Sequence, residues 1–168
     1  TTTVLPSAKL NFGAAAEWSQ FLSASRVEFW SMVKTATFGV VTFASLLNCV
    51  PSMALGATEM FGSTSFPVTY RLLEMIRGQL YLFLVALVTY FAGLLVWQER
   101  DSKCDEIHDA MPTPNWVAYA SKFAALTGAL VLIMTVAMIA AIVVQAAHGY
   151  TRFQIGLYLK EIFLLDLF

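Results

Sequence analysis

Charge is what this sequence has least of. Lys and Arg contribute 10 residues and Asp and Glu 11, so that only 12% of the 168 residues are charged, about half of what a soluble domain carries (roughly 25%). So few charges cannot clothe the surface of a water-soluble domain of this size. The formal net charge is -1, so there is no basic excess to neutralise phosphates, which excludes a nucleic-acid binder. Cysteine is also scarce. The two present, Cys49 in an apolar run and Cys104 in a charged loop, make a disulfide framework improbable and read as lone thiols. Catalytic signatures are missing too: there is no HExxH, GxSxG, Walker A, GxGxxG or CxxC pattern. What the chain has in quantity is apolar surface, 58% of residues, with a mean hydropathy of +0.69. High apolar content with low net charge excludes disorder and leaves an integral membrane protein.

Three apolar runs carry that reading: about 35–55 and 79–98, each free of charge within its core, and 122–147, whose only strongly polar side chain beyond Lys122 is Gln145. Each approaches the ~20 residues that cross ~30 Å of hydrocarbon as a helix. A helix satisfies its backbone internally, which lipid demands. No train of short alternating segments suggests a β-barrel, and the first run starts too late and is too long for a signal peptide. The expected fold is therefore all-α, a polytopic helical membrane protein with three complete spans. Asn48 and Pro51 interrupt the second half of the first span. They mark either a kinked packing helix or a hinge.

Ahead of the spans, residues 1–13 read as a linker and 14–34 as an interfacial amphipathic helix. From Trp18 to Val33 the residues Trp18, Phe21, Leu22, Ser25, Phe29, Met32 and Val33 fall on one face at helical spacing. Gln20, Ser23, Ala24, Ser31 and Lys34 fall opposite. The second span belongs to a longer helix that starts near Pro67, after Ser63, Thr64 and Ser65, which is helix-start chemistry. Running to Gln98, it would be ~46 Å long, more than the hydrocarbon core. Its first turns place Arg71, Glu74 and Arg77 on one face as a cation–anion–cation ladder. Such charges belong at the interface, in a water-filled pathway or between helices.

The remaining charge is concentrated. Glu99, Arg100, Asp101, Lys103, Asp105, Glu106 and Asp109 put seven charges into 99–109. Pro112 and Pro114 then end any helix begun at Glu99. Trp116 and Tyr119 open the next helix at interface depth. Asp101, Cys104, Asp105, His108 and Asp109 are the nearest approach to a metal site. Their mixed ligand types and the lack of a completing motif favour a solvated loop, so no metal or other cofactor is expected. His148 and Gly149 close the third helix, and 150–168 reads as a short interfacial element leading into a further span. The chain thus looks like part of a longer protein. Lys and Arg flanking the spans divide six against four: Lys9, Arg26, Lys34, Arg100, Lys103 and Lys122 against Arg71, Arg77, Arg152 and Lys160. That bias places the N-terminus and the 99–116 loop in the cytoplasm.

A set of motifs in order adds a family resemblance. Pro67-Val68-Thr69-Tyr70, Glu74, Trp97-Gln98-Glu99-Arg100-Asp101, Asp105-Glu106-Ile107-His108-Asp109-Ala110, Pro112-Thr113-Pro114-Asn115-Trp116 and Phe153-Gln154-Ile155-Gly156-Leu157-Tyr158-Leu159-Lys160 together resemble bacterial ABC-2-type transporter permeases. More narrowly they resemble the duplicated permeases that are sometimes fused to a zinc aminopeptidase domain. The resemblance covers roughly 20–168, and Trp97–Trp116 is its most specific part. It implies that 14–34 is a connecting helix. It also implies that Glu99, Arg100, Asp101, Asp105, Glu106, His108 and Asp109 lie on a cytoplasmic coupling helix that meets a separate ABC ATPase subunit. Catalysis would then reside in that partner and not in this chain. The resemblance further implies the bacterial inner membrane, a lipid-bilayer environment, and a dimer or pseudo-dimer of transmembrane halves. No peptidase motif is present, and a full permease unit has six spans where this chain completes three. The alternative function is a membrane-anchoring or assembly module for an enzyme domain encoded elsewhere in the full-length chain.

Overall fold

The computed structural model describes residues 13–56, 59–60, 63–64, 68–101, 114–149 and 154–160. The linker before Gly13, most of the 99–116 loop and the start of a further span after Lys160 lie outside the described residues. Five helices are described: α1 (Ala14–Val33), α2 (Ala36–Gly56), α3 (Thr69–Asp101), α4 (Asn115–Ala147) and the short α5 (Ile155–Leu159). Between α2 and α3 a two-residue strand pair (β1, Glu59–Met60; β2, Ser63–Thr64) closes antiparallel with Glu59 opposite Thr64 and Met60 opposite Ser63. The fold is all-α. Three helices are long and apolar enough to cross a bilayer: Ala36–Gly56, Thr69–Leu95 and Trp116–Ala147.

The spans alternate in direction. α2 and α3 form an antiparallel pair: Phe38 meets Phe91 edge-on at 6.0 Å at one end, and at the other a Cβ on Gly56 would stand 2.9 Å from Met75 Cε. α3 and α4 are antiparallel as well, since Thr69, the first residue of α3, bonds Gln145 near the end of α4. One end of the bundle therefore collects the end of α3 and the start of α4, with the start of α2 further in, beside Phe91. The other collects the strand pair, the start of α3, the end of α4 and α5.

α4 is the central helix, and its sequence explains why. Val117, Ser121, Ala125, Ala129, Ile133, Ala137, Ala141 and Gln145, every fourth residue, are all buried. Five of these eight are Ser or Ala, so neighbouring backbones approach closely, the usual basis of helix packing in lipid. A four-residue step advances 400° on a helix of 100° per residue, so the buried ridge winds by about 280° over its length. One helix thereby faces several partners in turn. Near its start, Trp116 meets Trp18 and Phe21 of α1; midway, Leu130 and Met134 face α3; at its end, Gln145 meets α3 and α5.

α1 lies along the first half of α4 and runs in the same direction. Trp18 and Phe21 stack around Trp116, with centroids 6.1 and 6.2 Å away, and Phe29 lies over Gly128, where a Cβ would come within 3.1 Å of Phe29 Cδ2. The contact ridge is narrower than the periodicity suggests. Phe21, Ser25, Phe29 and Met32 are half-buried or buried, while Trp18 and Leu22 are 58% and 63% exposed. Trp18 is central to the stripe by angle but stands in the first turns of α1, beside only the start of α4 at Trp116, and Leu22 lies on the side of the stripe away from Phe21. Lys34 and Thr35 form the turn into α2: the Lys34 N–H bonds Trp30 O, and the Thr35 hydroxyl donates to Met32 O.

α2 runs through Pro51 to Gly56, with Asn48 and Pro51 both on its exposed side. One expectation is refined. The long helix starts at Thr69, with Val68 O receiving the N–H groups of Arg71 and Leu72. Ser63 and Thr64, read as helix-start chemistry, belong to the strand pair.

Candidate functional site

Two ends of the bundle carry the polar chemistry. At the first, α3 continues beyond its apolar span into Trp97, Gln98, Glu99, Arg100 and Asp101, the last helical residue. Its 33 residues make a rod of about 50 Å, against a hydrocarbon thickness of about 30 Å. The charged end thus projects past the bilayer core. α4 re-enters behind Pro114, whose extended backbone (φ -62°, ψ 135°) and carbonyl, bonded to Val117 N–H at 3.0 Å, set the helix start without a side-chain cap. Trp97, Trp116 and Tyr119 are exposed at this end. Of the predicted coupling residues, Glu99, Arg100 and Asp101 fall on the last turn of α3. Asp105, Glu106, His108 and Asp109 lie outside the described residues, as does Cys104 with the metal cluster weighed around it. Among the described residues no group of three or more His, Cys, Asp and Glu is placed to hold a metal.

At the second end the structure assembles a network that periodicity did not reveal. Gln145, 0% exposed, donates through Nε2 to Thr69 Oγ1 at 3.2 Å and accepts at Oε1 from the Tyr158 hydroxyl at 3.2 Å. Thr69 and Tyr158 are buried with it. Burying an amide without partners costs about 1–3 kcal/mol, so bonds such as these are what allow a glutamine at this depth. The network joins three elements: the start of α3, the end of α4 and α5. Gln145 stood out in the sequence as a polar residue in an apolar run. Thr69 and Tyr158 carried no comparable signal, because nothing local links positions 76 and 13 residues away.

One to two turns along α3 from Thr69 come the residues of the predicted ladder. Arg71 is half-buried, while Glu74 and Arg77 are exposed. Leu72, Leu73 and Ile76 between them are buried, so the charged face looks away from the packed core. His148 caps α4 with Nδ1 2.8 Å from Val144 O, and Gly149 at φ 76° turns the chain out of the helix. That left-handed backbone is where glycine is at home.

This arrangement defines a multi-pass membrane protein with a polar segment at each end of a three-span bundle. The family described as ABC-2 family transporter protein matches residues 25–167, and the chain belongs to it. The match runs from within α1 to beyond α5 and so takes in all three spans. No curated protein and no solved structure matches the chain. The protein is a membrane transport component, and its apolar helices and its family agree on that.

Proposed function

We propose that this chain is the permease subunit of an ATP-driven ABC exporter, and that the segment 99–110 couples a partner ATPase to substrate translocation. What supports this reading is one feature of the bundle. α1, the charged end of α3 and the start of α4 gather at the same end, and the charged stretch of sequence connects two rods that each exceed the bilayer core. A push on Glu99, Arg100 or Asp101 is transmitted along α3, because a continuous helix carries displacement without local yielding. Asp105, Glu106, His108 and Asp109, which lie outside the described residues, complete the proposed contact. This end faces the cytoplasm of a bacterial cell, with the N-terminus on the same side, as the division of Lys and Arg favours. The full transporter pairs two such transmembrane halves. On the opposite side Arg71, Glu74 and Arg77 form an interfacial ladder or line the pathway, and Asn48 with Pro51 supplies a hinge in α2.

The test is co-purification of the full-length protein with its ATPase subunit. Reversing Asp105, Glu106 and Asp109 together to lysine adds six charge units at the proposed contact and should release the ATPase while the permease still inserts and folds. An ATPase that stays bound, with an unchanged hydrolysis rate, would remove the loop from the coupling role.

A further inference from the structure

We propose that the outer face of α1 is a binding site for the phosphate headgroup of anionic phospholipids. Arg26, Trp30 and Lys34 follow one another at intervals of four and so form a single ridge, with Val27 and Ser31 on the next ridge. These five residues line an open cleft of about 590 Å³. All five are exposed, Val27 at 69% and Trp30 at 48%. The Lys34 ammonium already sits over the Trp30 ring, 5.8 Å from its centroid, so one cation is held in place before any ligand arrives.

Charge is sorted around the helix. The acids of α1, Glu17 and Glu28, lie about 180–200° around the axis from Arg26 at 100° per residue, and both are half-buried. The exposed face is left with two cations and no carboxylate. Arg26 can grip two phosphate oxygens through its planar fork, Lys34 adds a point charge, and Ser31 offers a hydroxyl donor.

Depth selects a lipid over an acidic protein. Only Thr35 separates Lys34 from Ala36, the first residue of a membrane span. A charge inside hydrocarbon is costly, so the ammonium is held at the headgroup layer. Trp30 favours the same layer, and exposed Val27 supplies apolar contact for the glycerol and upper acyl region. A headgroup with a net negative charge, such as glycerol phosphate, fits two cations. Phosphatidylcholine presents the same phosphate with a quaternary ammonium that the pair would repel.

The experiment uses the full-length protein in neutral detergent, with thermal unfolding followed as phosphatidylglycerol, phosphatidylcholine or soluble glycerol 3-phosphate is added. Native mass spectrometry counts the retained lipids. Phosphatidylglycerol should raise the unfolding temperature and stay bound, and phosphatidylcholine should not. The R26Q/K34Q double variant changes only exposed side chains, so it should fold normally and bind phosphatidylglycerol roughly 25-fold more weakly, from about a fivefold contribution per cation near a membrane surface. Equal stabilisation by the two lipids, or full retention of phosphatidylglycerol by R26Q/K34Q, would overturn the proposal. A shift of the same size with soluble glycerol 3-phosphate would also overturn it, as would loss of a co-purifying protein from R26Q/K34Q with lipid binding unchanged.

Discussion

Replacing Gln145 with leucine should loosen α5 from the bundle, and the size of the effect follows from the network. Leucine is close to glutamine in volume, so the cavity term is small and the loss is mainly of two hydrogen bonds, to Thr69 and from Tyr158. Interhelical bonds in a membrane protein average about 0.6 kcal/mol and reach about 1.7. Two of them put the loss at about 1–3 kcal/mol. The assay is reversible unfolding of the full-length protein in mixed micelles with increasing SDS, followed by tryptophan fluorescence. The single variants Gln145→Leu and Tyr158→Phe and their combination close a double-mutant cycle. Its coupling energy should equal one bond, about 0.6–1.7 kcal/mol. Thr37, whose hydroxyl lies 3.4 Å from that of Tyr90 at the other end of the bundle, gives a control. Thr37→Val combined with Gln145→Leu should be additive within about 0.5 kcal/mol. Additivity of Gln145→Leu with Tyr158→Phe would refute the network.

Gly128→Leu should force α1 away from α4, because even a Cβ there comes within 3.1 Å of Phe29. Overpacking of this kind costs about 1–3 kcal/mol. Faster proteolysis within α1 would report it, and unchanged protection would contradict the α1–α4 contact. Pro51→Ala should stabilise α2 by up to about 3 kcal/mol, since the helix already runs through that position and the alanine restores a backbone donor. With Asn48 and Pro51 as a hinge, the coupled ATPase rate should fall as stability rises; a drop in the SDS midpoint would contradict the gain.

The spans were legible because their signal is compositional. A charge-free run of sufficient length reads as a membrane helix whatever its neighbours do, and three described helices are long and apolar enough to cross a bilayer. Facing was harder to read. The buried ridge of α4 steps by four and winds around the helix, so no fixed stripe exists for periodicity to detect. On α1 the stripe is visible in the sequence, but angle alone does not set burial: Trp18 is central to it yet exposed, because it stands in the first turns of the helix beside only the start of α4. The strand pair at 59–64 escaped notice because four paired residues are too few to show alternation. The Thr69–Gln145–Tyr158 network depends on contacts between distant segments, and only packing brings them together.

Photo-crosslinking in cells tests most directly the proposed contact between the 99–110 segment and an ATPase at the end of the bundle where α3 ends and α4 begins. A photoreactive amino acid replaces Glu106 in one full-length variant and Glu59, at the opposite end of the bundle, in another, each co-expressed with the ATPase subunit. The variant at 106 should yield a covalent adduct with the ATPase, and the variant at 59 should yield none. An adduct from position 59, or no adduct from 106 while the two proteins still co-purify, would contradict the account.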